Sequence, residues 1–330
     1  MGRPKVSIIV PEKNGSKYIV ETIESIMAQD FEGFECIILD NASTDDTVGR
    51  IRRVIGKDGR FRLLVHEKDI GYVANLNAGL LEAKGEYIAY LHADDLWDGK
   101  FLSSSVSLLE GHPDAAMSFC RFENIDTNSK KHPVPPKNAF EGASRKIGKE
   151  ELFQEYMKRD FTPVCTIMVR KSVQDEVGDY DPQFPGPCDY QMWLKISHSH
   201  PGVYNSQSAS RYRIHGQSGT GPLHERGILL IEQYSMICKL FDSLGGGEKG
   251  EAARKKMLEN TAWAALGQAF KAIGQKKAQV CRRKCGIAMM CYPSLLVGLV
   301  AAKMYFASYF TFILAPLARF ATARYIGERA

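Results

Sequence analysis

The sequence lacks the cysteine patterns and leader segments that mark several specialised classes of protein. Its eight cysteines are scattered, no two form a C-x-x-C pair, and no histidine lies at zinc-ligand spacing. Cys281 and Cys285, one helical turn apart, leave open a metal contact or two ordinary buried thiols. No charged segment followed by an apolar one opens the chain, so no signal peptide is expected. These absences argue against a disulfide scaffold and favour a reduced, cytoplasmic compartment.

The composition is that of an ordinary globular protein. The 330 residues are 44% hydrophobic and 25% charged, enough for one large domain with a smaller appendage. The net charge is +5, and its excess lies in residues 271–284, which hold six basic residues and no acidic one. This block is either a solvated helix face or a surface that meets anionic lipid or phosphate. No nucleic-acid partner is expected.

Strand-like and helix-like segments alternate through the first third of the chain. Residues 6–10 (V-S-I-I-V) are typical of a strand buried on both faces of a parallel sheet, and Pro11 is expected to end it. Further strand-like runs are residues 36–39, 61–65 and 87–91, and the segments with helical spacing between them are residues 18–28, 47–55 and 74–83. The alternation predicts βαβ units and a doubly wound, mostly parallel α/β sheet.

The remainder of the chain changes character twice. Residues 126–150 are rich in proline, lysine, asparagine and serine and are interpreted as a long loop. Strand-like segments return at residues 162–169 and 202–212, after which a helical pattern dominates. We therefore predict a first domain over residues 1–220 and a helical, partly apolar region over residues 221–330.

Polar residues follow four of the predicted strands. These segments are residues 11–14 (P-E-K-N), 40–43 (D-N-A-S), 69–71 (D-I-G) and 92–95 (H-A-D-D). Ligands of parallel α/β sheets bind beyond the carboxyl ends of the strands, so the four segments are expected to converge. One carboxylate pair after a strand is explained by helix capping through Asp95 or by solvation. Acidic or amide groups at three successive strand ends point to a ligand instead.

In their order, these segments resemble the motifs of family-2 glycosyltransferases of the GT-A fold. Residues 6–14 resemble the opening strand and nucleotide loop of that family, and residues 37–45 its second strand and base-binding turn. The other matching segments follow in the same order: residues 77–79, 84–88, 92–95, 178–181, 188–194 and 211–218. The resemblance covers about residues 5–220 and implies a GT-A enzyme that transfers a sugar from a nucleotide diphosphate donor.

The resemblance also implies roles for individual residues. Residues 1–97 would bind the nucleotide sugar, and residues 98–220 would face the acceptor. The positions implied for the nucleotide are Pro11, Lys13, Asn14, Asp40, Asn41, Asp69, Gly71, Asn77 and His92. Asp94 is implied as a ligand of Mn²⁺ or Mg²⁺, which prefer carboxylate oxygen and neutralise a leaving diphosphate. His215 is implied close to the phosphates, as a metal ligand or a hydrogen-bond donor, unless it only caps its loop.

A second carboxylate, Asp189, matches the catalytic base of the family. Such a base takes the proton of the acceptor hydroxyl during attack, and direct attack inverts the anomeric carbon. Tyr190 and Trp193 flank Asp189 on the acceptor side, where their bulk would exclude water. Helix N-capping is the alternative role for Asp189, because helical spacing continues after it.

Three positions depart from the family pattern and weaken any assignment of the donor nucleotide. His92 stands where the metal segment commonly opens with aspartate, Asn41 where a second aspartate is frequent, and Lys13 where many relatives carry an aromatic residue. A UDP-sugar is the favoured donor. Asn41 can still accept a hydrogen bond from a pyrimidine N3–H, but without the charge of an aspartate. The alternative functions are a nucleotidyltransferase of sugar phosphates and a non-enzymatic scaffold that binds a glycan or partner.

The tail combines the basic block with two uncharged segments, residues 285–302 and 304–318, whose lengths approach that of a membrane span. A lysine and two prolines interrupt this apolar stretch. Three readings follow: a membrane-surface element through residues 271–323, a soluble helical or oligomer-forming region, and a true span. The first is favoured, and it predicts action at the inner face of the cell membrane on a surface polysaccharide or lipid-linked glycan.

Overall fold

A computed structural model describes residues 3–132, 139–216, 226–245 and 247–310. The predicted motif residues Gln217 and Ser218, and the part of the tail beyond residue 310, lie outside the described residues. The chain divides into two compact units, the first holding residues 1–156 and 160–215 and the second residues 157–159 and 216–330. The division after His215 comes a few residues before the domain boundary predicted at residue 220.

The first unit contains one mixed sheet, to which the described residues contribute nine strands. In chain order they are β1 (Val6–Glu12), β2 (Phe34–Asp40), β3 (Phe61–Val65), β4 (Tyr87–Tyr90), β5 (Leu96–Trp97), β6 (Met117–Ile125), β7 (Arg145–Ile147), β8 (Ile167–Arg170) and β9 (Gly202–Arg213). Their order across the sheet is β3-β2-β1-β4-β8-β6-β9-β5, with β7 paired to β9. Strands β3, β2, β1 and β4 are parallel, so their carboxyl ends meet at one edge. The predicted α/β fold class is confirmed.

Helices connect the strands. Up to the division they are α1 (Ile19–Met27), α2 (Thr47–Ile55), α3 (Tyr72–Glu82), α4 (Phe101–Gly111), α5 (Lys149–Lys158), α6 (Lys171–Val177) and α7 (Cys188–Ser199). The predicted apolar stripe of α1 is confirmed, because Ile19, Ile23 and Ile26 are completely buried against the sheet. The elements expected before residue 92 are all present, since apolar periodicity is a local signal.

Three expectations about the strands need correction. Pro11 does not end β1, which continues to Glu12 with Pro11 paired to Leu39. Proline removes only one ladder donor, and the N–H of Asn41 donates to the Glu12 carbonyl beyond it at 2.8 Å. The strand expected from residue 162 begins at Ile167, after a 3₁₀ turn. The region interpreted as a long loop contains β7, and its residues 133–138 lie outside the described residues.

Gly79 brings α3 close to the sheet. A Cβ at this position would lie 2.6 Å from Ile9 Cγ2 and 2.9 Å from Leu39 Cδ1, closer than carbon atoms pack. The close approach sets the amino-terminal turn of α3, with Gly71 and Tyr72, beside the carboxyl ends of the parallel strands.

The second unit is helical, as predicted for the tail. Its helices are α8 (Ile228–Ser243), α9 (Glu248–Gly274), α10 (Ala278–Cys291) and α11 (Leu295–Ala307). They bury an alanine-rich core of their own, in which Cys281 and Cys285 are buried free thiols. Pro293 lies between α10 and α11 and breaks the first uncharged segment. Within the part of the tail that the structure describes, no helix has the length and apolar character needed to cross a membrane.

Candidate active site

Three strand ends are joined by a network of polar side chains. Lys13, after β1, donates to Asp69 Oδ2 at 2.5 Å. Asn41, after β2, donates from Nδ2 to Asp69 Oδ1 at 2.6 Å and accepts from the Ile70 N–H at 2.9 Å. The Gly71 N–H also donates to Asp69 Oδ1, at 2.9 Å. The predicted nucleotide positions Lys13, Asn41 and Asp69 therefore form one unit at the sheet edge.

Asn14 shapes the turn that follows β2. Its backbone lies in the left-handed region, with a φ of 57°, and its Oδ1 accepts from the Thr44 N–H at 2.8 Å. Its own N–H donates to Ser43 Oγ at 2.8 Å. Asn14 thus holds the predicted base-binding turn against the end of β1.

Two carboxyl groups are buried at the same edge. Asp40 is completely buried; its Oδ2 accepts from the Ser43 N–H at 3.0 Å, and its Oδ1 has no hydrogen-bond partner among the described residues. Burial raises the pKa of Glu12 to about 8, and the nearby Asp94 and Asp40 charges add to the rise. Glu12 therefore keeps its proton at neutral pH. The Asp40 Oδ1 atom remains available to accept a hydrogen bond from a ligand.

The segment after β4 carries the predicted metal ligand. The N–H of Asp95 donates to the His92 carbonyl at 3.1 Å, which forms a tight turn with Asp94 at its outer end. His215 Nε2 lies 2.8 Å from Asp94 Oδ2. The structure therefore brings together Asp94 and His215, which are 121 positions apart in the chain.

Arg213 holds this segment from behind. Its side chain is fully buried, its Nε donates to the Asp94 carbonyl at 2.7 Å, and its N–H donates to Asp95 Oδ1 at 2.9 Å. The guanidinium also pairs with Glu21 at 2.8 Å and lies over the Tyr18 ring at 4.5 Å. The fully buried guanidinium is held by these ion-pair, hydrogen-bond and ring contacts, so Arg213 fixes the position of the Asp94 backbone.

His92 faces the same site from the other side. Its Nε2 lies 2.8 Å from the Tyr72 hydroxyl at the start of α3, and its Nδ1 lies 3.9 Å from Asp95 Oδ2. Over the described residues, His92, Asp94 and Asp95 are the one group of three metal-ligating side chains whose ligand atoms all lie within 4.8 Å of one another. The Asp95 carboxyl accepts from the Cys165 thiol, and the oxygen and imidazole atoms of the three side chains fit a divalent cation. No such group includes Cys281 or Cys285.

Asp189 lies in the first turn of α7. Its Oδ1 accepts from the Tyr190 N–H at 2.7 Å, while the side chain stays partly exposed. Burial raises the pKa of Asp189, and the Tyr190 N–H and the His92 imidazole oppose the rise. The helix begins at Cys188 with Pro187 as its N-cap, so Asp189 is not the capping residue, and its carboxyl lies close enough to the metal segment to respond to His92.

Tyr190, Trp193 and Asn77 make contacts within the protein that the sequence did not predict. Tyr190 and Trp193 are buried, Trp193 at 0% exposure against Tyr90, so neither offers a surface to an acceptor. They pack behind Asp189, because α7 turns its aromatic face to the sheet. Asn77 donates to the Tyr180 carbonyl at 2.9 Å and accepts from the Tyr180 N–H at 3.0 Å, which ties α3 to the loop between α6 and α7.

Three residues of this site had no predicted role. Glu12, Tyr72 and Arg213 lie at its base, beside His92, and behind Asp94, respectively. Glu12 and Arg213 lie within segments that the sequence had singled out, residues 11–14 and 211–218. No local pattern pointed to Tyr72.

Residues 7–178 match the family described as glycosyl transferase family 2. An uncharacterized glycosyltransferase of Rickettsia felis is 26% identical over 219 residues, which make up 66% of this chain and 35% of that protein. An uncharacterized glycosyltransferase of Haemophilus influenzae is 26% identical over 222 residues, or 64% of this chain and 66% of that protein. The match to each relative thus covers less than two thirds of that relative's length.

Solved structures share the fold. Staphylococcus aureus TarS in complex with UDP-GlcNAc matches with a TM-score of 0.66 at 17% identity, over 92% of this chain and 89% of that chain. The mannosyltransferase PcManGT from Pyrobaculum calidifontis, in complex with GDP-Man and Mn²⁺, matches with a TM-score of 0.57 at 16% identity, over 98% and 86%. At such identities the likeness establishes the fold alone.

Proposed function

The chain belongs to glycosyl transferase family 2, and from that premise we propose that it transfers a sugar from a nucleotide diphosphate donor to an acceptor hydroxyl, with inversion. One observation carries the proposal. The ligand atoms of His92, Asp94 and Asp95 lie within 4.8 Å of one another, and His215 Nε2 lies 2.8 Å from Asp94 Oδ2. This cluster at the carboxyl end of β4 suits a divalent cation that would neutralise a leaving diphosphate.

The reaction follows from these groups. Asp189 accepts the proton of the acceptor hydroxyl while the hydroxyl oxygen attacks the anomeric carbon. The bond from that carbon to the diphosphate breaks, and the nucleoside diphosphate leaves with the electron pair. Asp94 would hold a divalent cation, which would supply positive charge against the leaving diphosphate. Attack opposite the leaving group inverts the anomeric configuration.

We propose a UDP-sugar as the donor, lying along the ends of β1, β2 and β3. Asp40 Oδ1 is a buried acceptor without a donor among the described residues, which suits the N3–H of uracil. Lys13, Asn41 and Asp69 would border the base, and Pro11, Asn14 and Gly71 would shape the surface below it. The UDP-GlcNAc in the TarS complex and the GDP-Man in the PcManGT complex support a nucleotide-sugar donor, and the first of them supports UDP.

A donor assay tests the proposal. The purified protein with Mn²⁺ is expected to release UDP from a UDP-sugar faster than it releases GDP from a GDP-sugar, as measured by chromatography. The sugar released or transferred is expected to show inverted configuration by NMR. Pyrophosphate release from UTP and a sugar 1-phosphate would instead identify a nucleotidyltransferase, and donor binding without release would identify a scaffold.

We further propose that the second unit binds an anionic membrane surface, at the cytoplasmic face, where a lipid-linked glycan is the acceptor. One face of α11 exposes Leu295, Leu296, Leu299 and Phe306, at 82%, 61%, 54% and 67%. The Arg282 guanidinium lies over the Tyr309 ring at 4.7 Å, beside this face. Apolar side chains next to basic ones are the pattern of a helix that lies in a membrane interface.

Vesicle sedimentation is expected to reveal this contact. The full chain should sediment with phosphatidylserine-rich vesicles and be released by high salt, since each basic residue near the surface contributes about 1 kcal/mol. The double variant Leu299→Glu, Phe306→Glu should lose most of the binding. Leu81→Glu, on α3, is the matched control, because Leu81 is 84% exposed in the first unit. Equal binding by the double variant and the control would contradict the proposal.

A further inference from the structure

We infer that Lys13 recognises the nucleobase of the donor through its ammonium group. It would make the site select a base that presents a carbonyl oxygen, such as uracil, over one that presents an amino group, such as cytosine. The inference rests on the proposed function, which places a nucleotide along the ends of β1, β2 and β3. It deepens that function by assigning base selection to one side chain. Lys13 stands where many relatives carry an aromatic residue, so the family pattern does not supply this role.

The Lys13 side chain crosses the carboxyl end of β2. Lys13 follows β1, and its Nζ donates at 2.5 Å to Asp69, which follows β3. Because β2 lies between β1 and β3 in the sheet, the side chain has to pass beyond Asp40, the last residue of β2. Ligands of parallel α/β sheets bind beyond the carboxyl ends of the strands. A base bound at these strand ends would therefore meet Lys13.

Asp69 holds the ammonium group in one place. Besides the bond from Lys13, the Asp69 carboxylate accepts from Asn41 Nδ2 at 2.6 Å and from the Gly71 N–H at 2.9 Å. These bonds, that from Lys13 most of all, lower the pKa of Asp69 and keep it ionised at neutral pH. A free lysine side chain loses rotamer freedom when it binds a ligand. Anchoring to Asp69 removes part of that loss before the base arrives.

The anchored ammonium group keeps donors for a ligand. A lysine ammonium has three N–H donors and no acceptor, and Asp69 takes one of the donors. The Lys13 side chain is 43% exposed, so a ligand can reach the ammonium group from solvent. Lys13 can therefore donate to a carbonyl oxygen without leaving Asp69.

Asp40 supplies the matching acceptor at the strand end that Lys13 crosses. Its Oδ1 has no hydrogen-bond partner among the described residues. Uracil presents a carbonyl oxygen beside an N–H, which suits one donor and one acceptor of the protein. Cytosine presents an amino group beside a bare ring nitrogen, so its amino group would face the ammonium and its lone pair the carboxylate. The pair of Lys13 and Asp40 thus favours uracil.

Nucleotide binding tests the inference without reference to turnover. Full-length protein with Mn²⁺ is titrated with UDP and with CDP, and the heat of binding gives the two affinities. Wild-type protein is expected to bind UDP at least about tenfold more tightly than CDP. Lys13→Met keeps most of the apolar stem and removes the donors. It should weaken UDP about tenfold and CDP by less than about twofold.

A second replacement separates recognition of the base from simple coverage of it. Lys13→Tyr provides a ring on which any base can stack. Relative to Lys13→Met, it should strengthen the binding of UDP and CDP alike, each by about fivefold. The preference for UDP should stay as low as in Lys13→Met, because the ring does not distinguish a carbonyl from an amino group.

Lys57→Met is the matched control. Lys57 is an exposed lysine between α2 and the start of β3, away from the carboxyl ends of the strands, so both affinities should stay unchanged. Equal binding of UDP and CDP by wild-type protein, or equal losses for both nucleotides in Lys13→Met, would overturn the inference. If wild-type protein binds neither nucleotide, the proposed function itself is wrong, which is a separate outcome.

Discussion

Asp189→Asn is expected to lower kcat by about 10²-fold or more while donor affinity stays near that of the wild type. Asparagine keeps the shape of the side chain and the hydrogen bond from the Tyr190 N–H, but it cannot take a proton. Loss of the base therefore affects the chemical step and leaves the nucleotide contacts alone. Steady-state kinetics together with calorimetric binding of UDP separate the two quantities.

The pH dependence gives a second measurement of the same group. Asp189 acts only when ionised, and burial raises its pKa. Activity should therefore fall as the pH falls through that raised pKa, above the value of about 4 for an exposed aspartate. This acid limb should disappear in Asp189→Asn. Asp175→Asn, at an exposed carboxylate paired with Lys171, is the matched control. A collapse of UDP affinity with normal turnover at saturation would assign Asp189 a structural role instead.

Asp94→Ala is expected to lower kcat/KM by about 10³-fold or more and to remove the response to added Mn²⁺. The Asp94 side chain is 30% exposed, whereas that of Asp95 is 1% exposed, so Asp94 is the one of the two that a ligand can reach. The diphosphate needs a compensating charge as it leaves. Arg213 bonds the backbone of this segment, so truncation of the Asp94 side chain should leave the fold intact.

Thermal unfolding and metal titration distinguish this effect from misfolding. The midpoint of unfolding should be close to that of wild type, while turnover no longer rises with Mn²⁺. Asp114→Ala is the matched control, because Asp114 is an exposed carboxylate whose ion-pair partner is Lys146. Metal-independent turnover with unchanged kinetics in Asp94→Ala would refute the role of the carboxylate.

The strand ends could be predicted because each is a short pattern in one stretch of chain. An apolar run followed by D-N-A-S or H-A-D-D carries its own signal, and resemblance to a family supplied the roles. The acceptor side was less predictable. Whether Trp193 lines a cleft or a core depends on which face of α7 meets the sheet, and helical spacing alone does not decide that.

The amino-acid sequence by itself determined the alternation of strands and helices, the polar residues at the strand ends and the family to which the chain belongs. These features depend on neighbours in the chain, so local patterns carry them. Only the tertiary structure decided that His215 lies against Asp94, that Arg213 is buried behind the segment, and that the Tyr72 hydroxyl contacts His92. Those relations join residues that are far apart in the chain, and burial and hydrogen-bond partners exist only once the chain has folded.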